Sequence, residues 1–324
     1  MFYKQLIFVI GGFFLMLVFA FLDYRVFRNH PFFLLFLYIV SILLLIVVLF
    51  LGKQVRGATS WFHFGIISFE PVELAKPIII FILAEYFSLR HIELYRIRHI
   101  VISGIYMLVP VALVFLQPDL GSAAVLIFLW LGVMIVAGIK LRQLVVLFLI
   151  GTIIFAGAWL AVLKPYQKER ITSFINPYFD PLGSGYHRIQ SIIAIGSGKI
   201  WGKGLGQGSQ SQLKFLPDRY TDFIFASIAE EMGFVGVLLI FIFYFLMFFR
   251  IIKISMAASN NFARLFCVGT AIVFLFHIVV NVGMNLGLLP IAGISLPFIS
   301  TGGSNLLVSF VTIGIVQSIA VRSK

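Results

Sequence analysis

Nine apolar runs, each about as long as a helix must be to cross roughly 30 Å of hydrocarbon, fix what this chain can fold into. They lie near residues 5–24, 31–51, 70–87, 100–116, 121–139, 144–163, 224–249, 265–286 and 304–321. A backbone in lipid finds no water, so each run must satisfy its own amides and carbonyls, which helices do. Composition agrees: 61% of residues are hydrophobic and 11% charged, where an ordinary soluble domain is about 25% charged. The expectation is an all-α polytopic membrane protein, one integral domain over residues 1–324, with no soluble domain and no solenoid repeat. No small-residue cleavage site follows the first run, so it reads as a span rather than a signal peptide. The single cysteine, Cys267, lies inside an apolar run, which excludes disulfides and cysteine metal sites.

Orientation follows from the basic residues of the short connections. Arg25, Arg28, Arg90, Arg96, Arg98, Lys140, Arg142, Arg250, Lys253, Arg264, Arg322 and Lys324 gather on one side. Outside the long 164–223 segment, the other side has Lys4, Lys53, Arg56 and Lys76. The basic side faces the cytoplasm, which puts the C-terminus inside and the N-terminus and the 164–223 loop outside. The net charge of +12 suits a membrane surface or an anionic substrate and asks for no nucleic acid. Within the loop, Ile189, Ile192, Ile193 and Ile195 are spaced for a short helix lying in the interface, so an ordered cap is expected.

"GSGKIWGKGLGQGS" (196–209) fails as a Walker loop at both ends: Ser197 stands at the first glycine position and Gly204 at the final Ser/Thr position. It reads as a flexible turn whose amides, beside Lys199 and Lys203, are open to phosphate oxygens.

The charges carry the chemistry. Glu73 and Lys76 stand three residues apart and pair on one helix face, either as a structural ion pair or facing an internal cavity. Asp119, between Pro118 and Gly121, is either a helix cap or a second acid of that cavity. Arg170 has the planar fork that grips phosphate. "NVGMNLGLLPIAGISLPFISTGGSN" (281–305) is broken backbone at membrane depth, tolerated only around protein or a cavity, and singles out Ser300 and Ser304. Asp222 stands at the outer rim where "LPDRYTDFIFASIAEEMG" (216–233) enters an apolar span: a helix cap or a general base. Glu230 and Glu231 lie about 12–14 Å further along that span and are expected to pair with a cation or a backbone group inside the bundle. On these residues alone, polymerase and transporter stay open.

"GQGSQSQLKFLPDRYTDFIFASIAEEMGFVG" (206–236) resembles the signature of the RodA/FtsW/SpoVE family, the SEDS peptidoglycan polymerases. "RGATSWFHFGIISFEPVELAK" (56–76), "QPDLGSA" (117–123), "DPLGSGYHRIQSIIAIGSG" (180–198) and "LPFISTGGSN" (296–305) resemble its other stretches, in order along nearly the whole chain. "GSQSQLKFLPDRYTDF" is nearer the RodA branch, which serves wall elongation and cell shape. The resemblance implies a glycosyltransferase polymerising lipid II, the undecaprenyl-pyrophosphate disaccharide-pentapeptide, at the outer face of the bacterial cytoplasmic membrane. It puts the essential acid on Asp222, the family's Glu/Lys pair on Glu73 and Lys76, and its Pro-Asp-Leu-Gly acid on Asp119. Arg170, Lys199, Lys203, Lys214, Arg219 and Lys76 are the candidate holders of the departing pyrophosphate, with Glu231, Ser300 and Ser304 in support. No cofactor is certain, and Mg2+ or Mn2+ is admissible. A class B penicillin-binding protein is the implied partner, besides membrane lipids. The family has ten spans and a cytoplasmic N-terminus, whereas this chain begins at what would be the second. The rivals are a lipid II flippase or other secondary transporter, and a non-catalytic scaffold.

Overall fold

The structure, a computed structural model, describes residues 2–323 apart from 56–57, 65–66, 91–96, 162, 164, 176–183, 214 and 217. The helices are α1 (Phe2–Phe21), α2 (Arg25–Asn29), α3 (Pro31–Leu51), α4 (Pro71–Ser88), α5 (Ile97–Leu116), α6 (Leu120–Ala137), α7 (Leu141–Ala161), α8 (Pro165–Ile175), α9 (Ser184–Gly198), α10 (Ser209–Gln212), α11 (Ile224–Ala257), α12 (Asn261–Asn285) and α13 (Gly303–Arg322). Eight of them are long and apolar enough to cross a membrane. The remaining expected span is α4, whose 18 residues include Glu73, Lys76 and Glu85. Its charges are tolerable because α4 is buried in protein along almost its whole length.

The all-α expectation holds, with one small addition. Three short strands, β1 (Lys53–Val55), β2 (Ala58–Phe64) and β3 (Ile67–Phe69), form an antiparallel sheet in the order β1-β2-β3 between α3 and α4.

The chain packs as two compact units, one of residues 1–138, 246–277 and 301–324, the other of 139–245 and 278–300. In the first, α4 is the centre: Phe81 packs on Phe27 and Phe266 with ring centroids 4.5 and 4.4 Å apart. Small residues let helices close in, Gly132 against Ile272 and Gly269 against Ile80. Contacts between α1 and α13 ascend together, Phe8 with Gly303, Gly12 with Phe310 and Phe19 with Gly314, so these helices run parallel. Tyr38 donates to the Tyr106 carbonyl and Gln117 to that of Leu45, which makes α3 and α5 parallel too. Both orders are what spans one and nine, and two and four, of an alternating set require. The sheet covers the end where α3 stops and α4 and α13 start. There Thr59 N–H donates to the Gln117 carbonyl, and Ser304 Oγ donates to the Ser68 carbonyl and accepts from Glu70 N–H.

In the second unit, Ala194, Leu216 and Phe223 of the 164–223 loop form a small core with Ala226 of α11. The expected short helix is present as α9. Arg188 fastens it by donating to the carbonyls of Phe174 (2.6 Å) and Gly287 (2.5 Å).

The largest departure from the sequence expectation is inside α11, which breaks at Gly233 (φ 65, ψ −162). A broken helix leaves amides and carbonyls without partners, and an apolar setting makes each costly. The glycine stretch supplies them. Phe234 and Val235 N–H donate to the carbonyls of Lys199 and Ile200, and Lys203 and Gly204 N–H donate to those of Glu230 and Glu231. Only bare backbone fits so close: a Cβ on Gly198 would strike the Ala229 carbonyl, and one on Gly202 (φ 78) that of Glu231. The flexible turn expected at 196–209 is therefore a fitted backbone splint.

Candidate active site

Asp222 sits on a turn just before α11. Its neighbours on the chain fix the backbone from both sides. Asn281 and Asn285, one turn apart on α12, both donate to the Asp222 carbonyl, at 3.1 and 2.9 Å. Ser300 Oγ donates to the Thr221 carbonyl at 2.7 Å and accepts from Leu296 N–H. Asn285 also accepts from Ala226 N–H and Ser191 Oγ, so α9, α11 and α12 meet at this buried amide. The sequence places Asp222 at an open rim; the structure buries it to 7% exposure. The turn is thus held rigid, which is what a base of defined geometry requires.

Glu230 is fully buried and meets the expected kinds of partner, a cation and backbone amides, but they come from the 164–223 loop. Residues 234–257, rising about 1.5 Å each, already suffice for roughly 30 Å of hydrocarbon, so both glutamates precede the spanning part of α11. The 164–223 loop comes to them. Lys203 Nζ and Gln210 N–H donate to Glu230 Oε1, both at 2.9 Å, while Ser211 N–H and Oγ donate to Oε2 at 3.1 and 2.8 Å. Glu231 accepts from Gly206 N–H. With Gly202, Lys203, Gly204, Gly206 and Gln207 amides all engaged, the loop does not hold them out for phosphate, contrary to the sequence reading.

The clamp on Ser211 continues outward. Arg219 donates through one terminal nitrogen to the Ser211 carbonyl and through the other to Tyr220 Oη (2.6 Å), with its guanidinium carbon 4.6 Å from the Tyr220 ring centroid. Lys203 has its charge matched by Glu230. Lys199 is solvent-exposed. Lys214 and the side chain of Arg170 lie outside the described residues.

Glu73 and Lys76 form the expected pair at 2.7 Å, buried to 6% and 3% exposure. Two residues the sequence reading did not name complete it: Asn305 donates to Glu73 Oε2 (3.1 Å), and His277 Nε2 lies 3.1 Å from Lys76 Nζ. They line a cavity of about 20 Å³, room for one water. Asp119 does not line it. Its carboxylate caps α6, accepting from Ser122 N–H at 3.0 Å. Lys76→Met would strand a buried carboxylate, and an expected loss of about 3–5 kcal/mol should appear as a lower melting temperature in detergent. The double variant Glu73→Leu/Lys76→Met should recover most of it; equal losses would contradict the pairing.

Among the described residues, no group of three or more His, Cys, Asp or Glu side chains could hold a metal ion.

The whole chain, residues 1–324, matches the family model of FtsW, RodA and SpoVE, described as a cell cycle protein. The chain belongs to this family. Among its relatives is the peptidoglycan glycosyltransferase MrdB of Escherichia coli K12, 38% identical over 289 residues, which cover 89% of this chain and 78% of that one. Among solved structures, a chain of a peptidoglycan synthase complex that coordinates polymerisation with crosslinking superposes with a TM-score of 0.85. It is 34% identical, over 99% of this chain and 89% of its own. The crystal structure of Thermus thermophilus RodA gives 0.72 at 31% identity, covering 98% of this chain and 86% of that one. Family membership makes the chain a multi-pass membrane protein of the SEDS fold.

Proposed function

We propose that this chain is a peptidoglycan glycosyltransferase that polymerises lipid II for wall elongation and cell shape, with Asp222 as general base. The observation that carries the activity is its kinship with the MrdB glycosyltransferase over nine-tenths of its length. The rigid turn at Asp222 supports the choice of base.

The reaction joins the acceptor's 4-hydroxyl to the donor's anomeric carbon and expels a lipid-linked diphosphate. A carboxylate with a reference pKa near 3.9 does not deprotonate a sugar alcohol outright. It takes the proton as the C–O bond forms. One base and direct displacement invert the anomeric centre, turning an α-linked donor into a β-1,4 product. Positive charge must meet the leaving diphosphate, and exposed Lys199, together with Arg170 and Lys214, is assigned to it. Arg219 and Lys203 are engaged elsewhere.

The basic connections support a cytoplasmic C-terminus and an extracytoplasmic Asp222. The relative found in a synthase complex supports a crosslinking partner, a class B penicillin-binding protein. The test is purified chain incubated with fluorescent lipid II, with and without that partner. A ladder of glycan strands is expected. Movement of lipid II across liposomes without any polymer would replace this reading with the transport one.

A further inference from the structure

The second unit contains a cleft of about 130 Å³ that the chemistry above leaves unused. Its floor is one stripe of the first two turns of α11: Ile224, Ser227, Ile228 and Glu231, at helical spacing. Ser211 and Gln212 of α10 form one wall, and Arg219 and Tyr220 form another. Arg219 and Tyr220 lie three and two residues before Asp222 in the chain and Ile224 two residues after it, so the cleft adjoins the base along the backbone.

Resting on the reading of the chain as a lipid II polymerase, we infer that this cleft seats one sugar ring of the acceptor. Three observations argue for a neutral sugar over the diphosphate. The cleft holds one cation, Arg219, and one carboxylate, Glu231, so it has no net charge to attract an anion and one group to repel it. Arg219 is already held in place by Ser211 and Tyr220, leaving a flat guanidinium–phenol plate rather than a mobile phosphate clamp. Fixed donors and acceptors from Arg219, Tyr220, Gln212, Ser227 and Glu231 surround an apolar floor of Ile224 and Ile228. That mixture matches a pyranose, with hydroxyls at its edge and C–H groups on its face. At about 130 Å³ the cleft has room for a sugar ring. A ring seated there is oriented before the proton leaves its hydroxyl, which is where positioning contributes to rate.

The lipid-free disaccharide of lipid II is the probe. It should inhibit polymerisation by the wild-type chain in competition with acceptor lipid II, and it should raise the melting temperature of the inactive Asp222→Asn chain. Ile228→Trp fills the cleft and should raise the acceptor KM at least tenfold, abolish the disaccharide's effect and shorten the strands. Glu231→Gln keeps an acceptor for Gly206 N–H and should raise the acceptor KM several-fold with kcat little changed. It decides the matter if Ile228→Trp does not fold. Wild-type acceptor KM in the folded variants, or disaccharide protection that survives Ile228→Trp, would overturn the assignment. Absence of polymer from the wild-type chain would instead sink the polymerase reading, while disaccharide protection would still report on the cleft.

Discussion

Asp222→Asn is expected to slow glycan polymerisation by about 10²–10⁴-fold, the usual contribution of a positioned base. The amide has the shape of the carboxylate but takes no proton. Its backbone is held through carbonyls that the exchange leaves in place: that of Asp222 by Asn281 and Asn285, and the preceding one by Ser300. The variant should therefore insert, fold and melt like the parent. Initial rates on fluorescent lipid II, set beside melting curves in the same detergent, make the comparison. A chain that loses activity and stability together would assign Asp222 to structure, and one that polymerises at the parental rate would assign the base elsewhere. A transporter would tolerate the exchange, so the same variant separates the two activities.

The second large effect belongs to Glu230, which touches neither substrate nor Asp222 in any contact described above. Glu230→Ala removes a fully buried carboxylate and leaves Lys203 Nζ, two amides of α10 and the Ser211 hydroxyl facing an apolar gap. Breaking a buried pair in this way costs about 3–5 kcal/mol. The damage should spread along a defined route. Ser211 anchors Arg219 through its carbonyl, so the wall of the acceptor cleft should loosen with it. The expected signature is a lowered melting temperature, faster amide exchange over 199–212 and a raised acceptor KM. Glu230→Gln keeps the volume but turns an NH2 toward donors, and should fall between the two. Unchanged exchange in the glycine stretch would refute the clamp.

Hydropathy alone showed where the helices are, because lipid leaves a spanning backbone few options. Even α4 was legible, since three charges do not erase an 18-residue apolar pattern. The Glu73–Lys76 pair followed from spacing, whereas the cap at Asp119 was one of two readings that the proline and glycine around it left open. What sequence could not supply were partners from distant parts of the chain. His277 and Asn305 lie more than 200 residues from the pair they complete. Asn281 and Asn285 did carry a signal: two amides at i and i+4 in an apolar helix are costly unless they bond something. The break at Gly233 carried almost none, because an isolated glycine in a helical pattern is usually just a weak helix residue. The strands at 53–69 are too short for alternation to stand out, and the burial of Asp222 depends on packing that no local pattern encodes.

The splint across the α11 break bears on how the protein is made. Residues 198–204 leave the ribosome before Gly233 does, and in the orientation proposed above they are translocated before α11 enters the membrane. The acceptors for Phe234 and Val235 N–H are thus already on the far side when those amides emerge. In that orientation biogenesis has a built-in order: the 164–223 loop is in place to receive the start of the span that follows it.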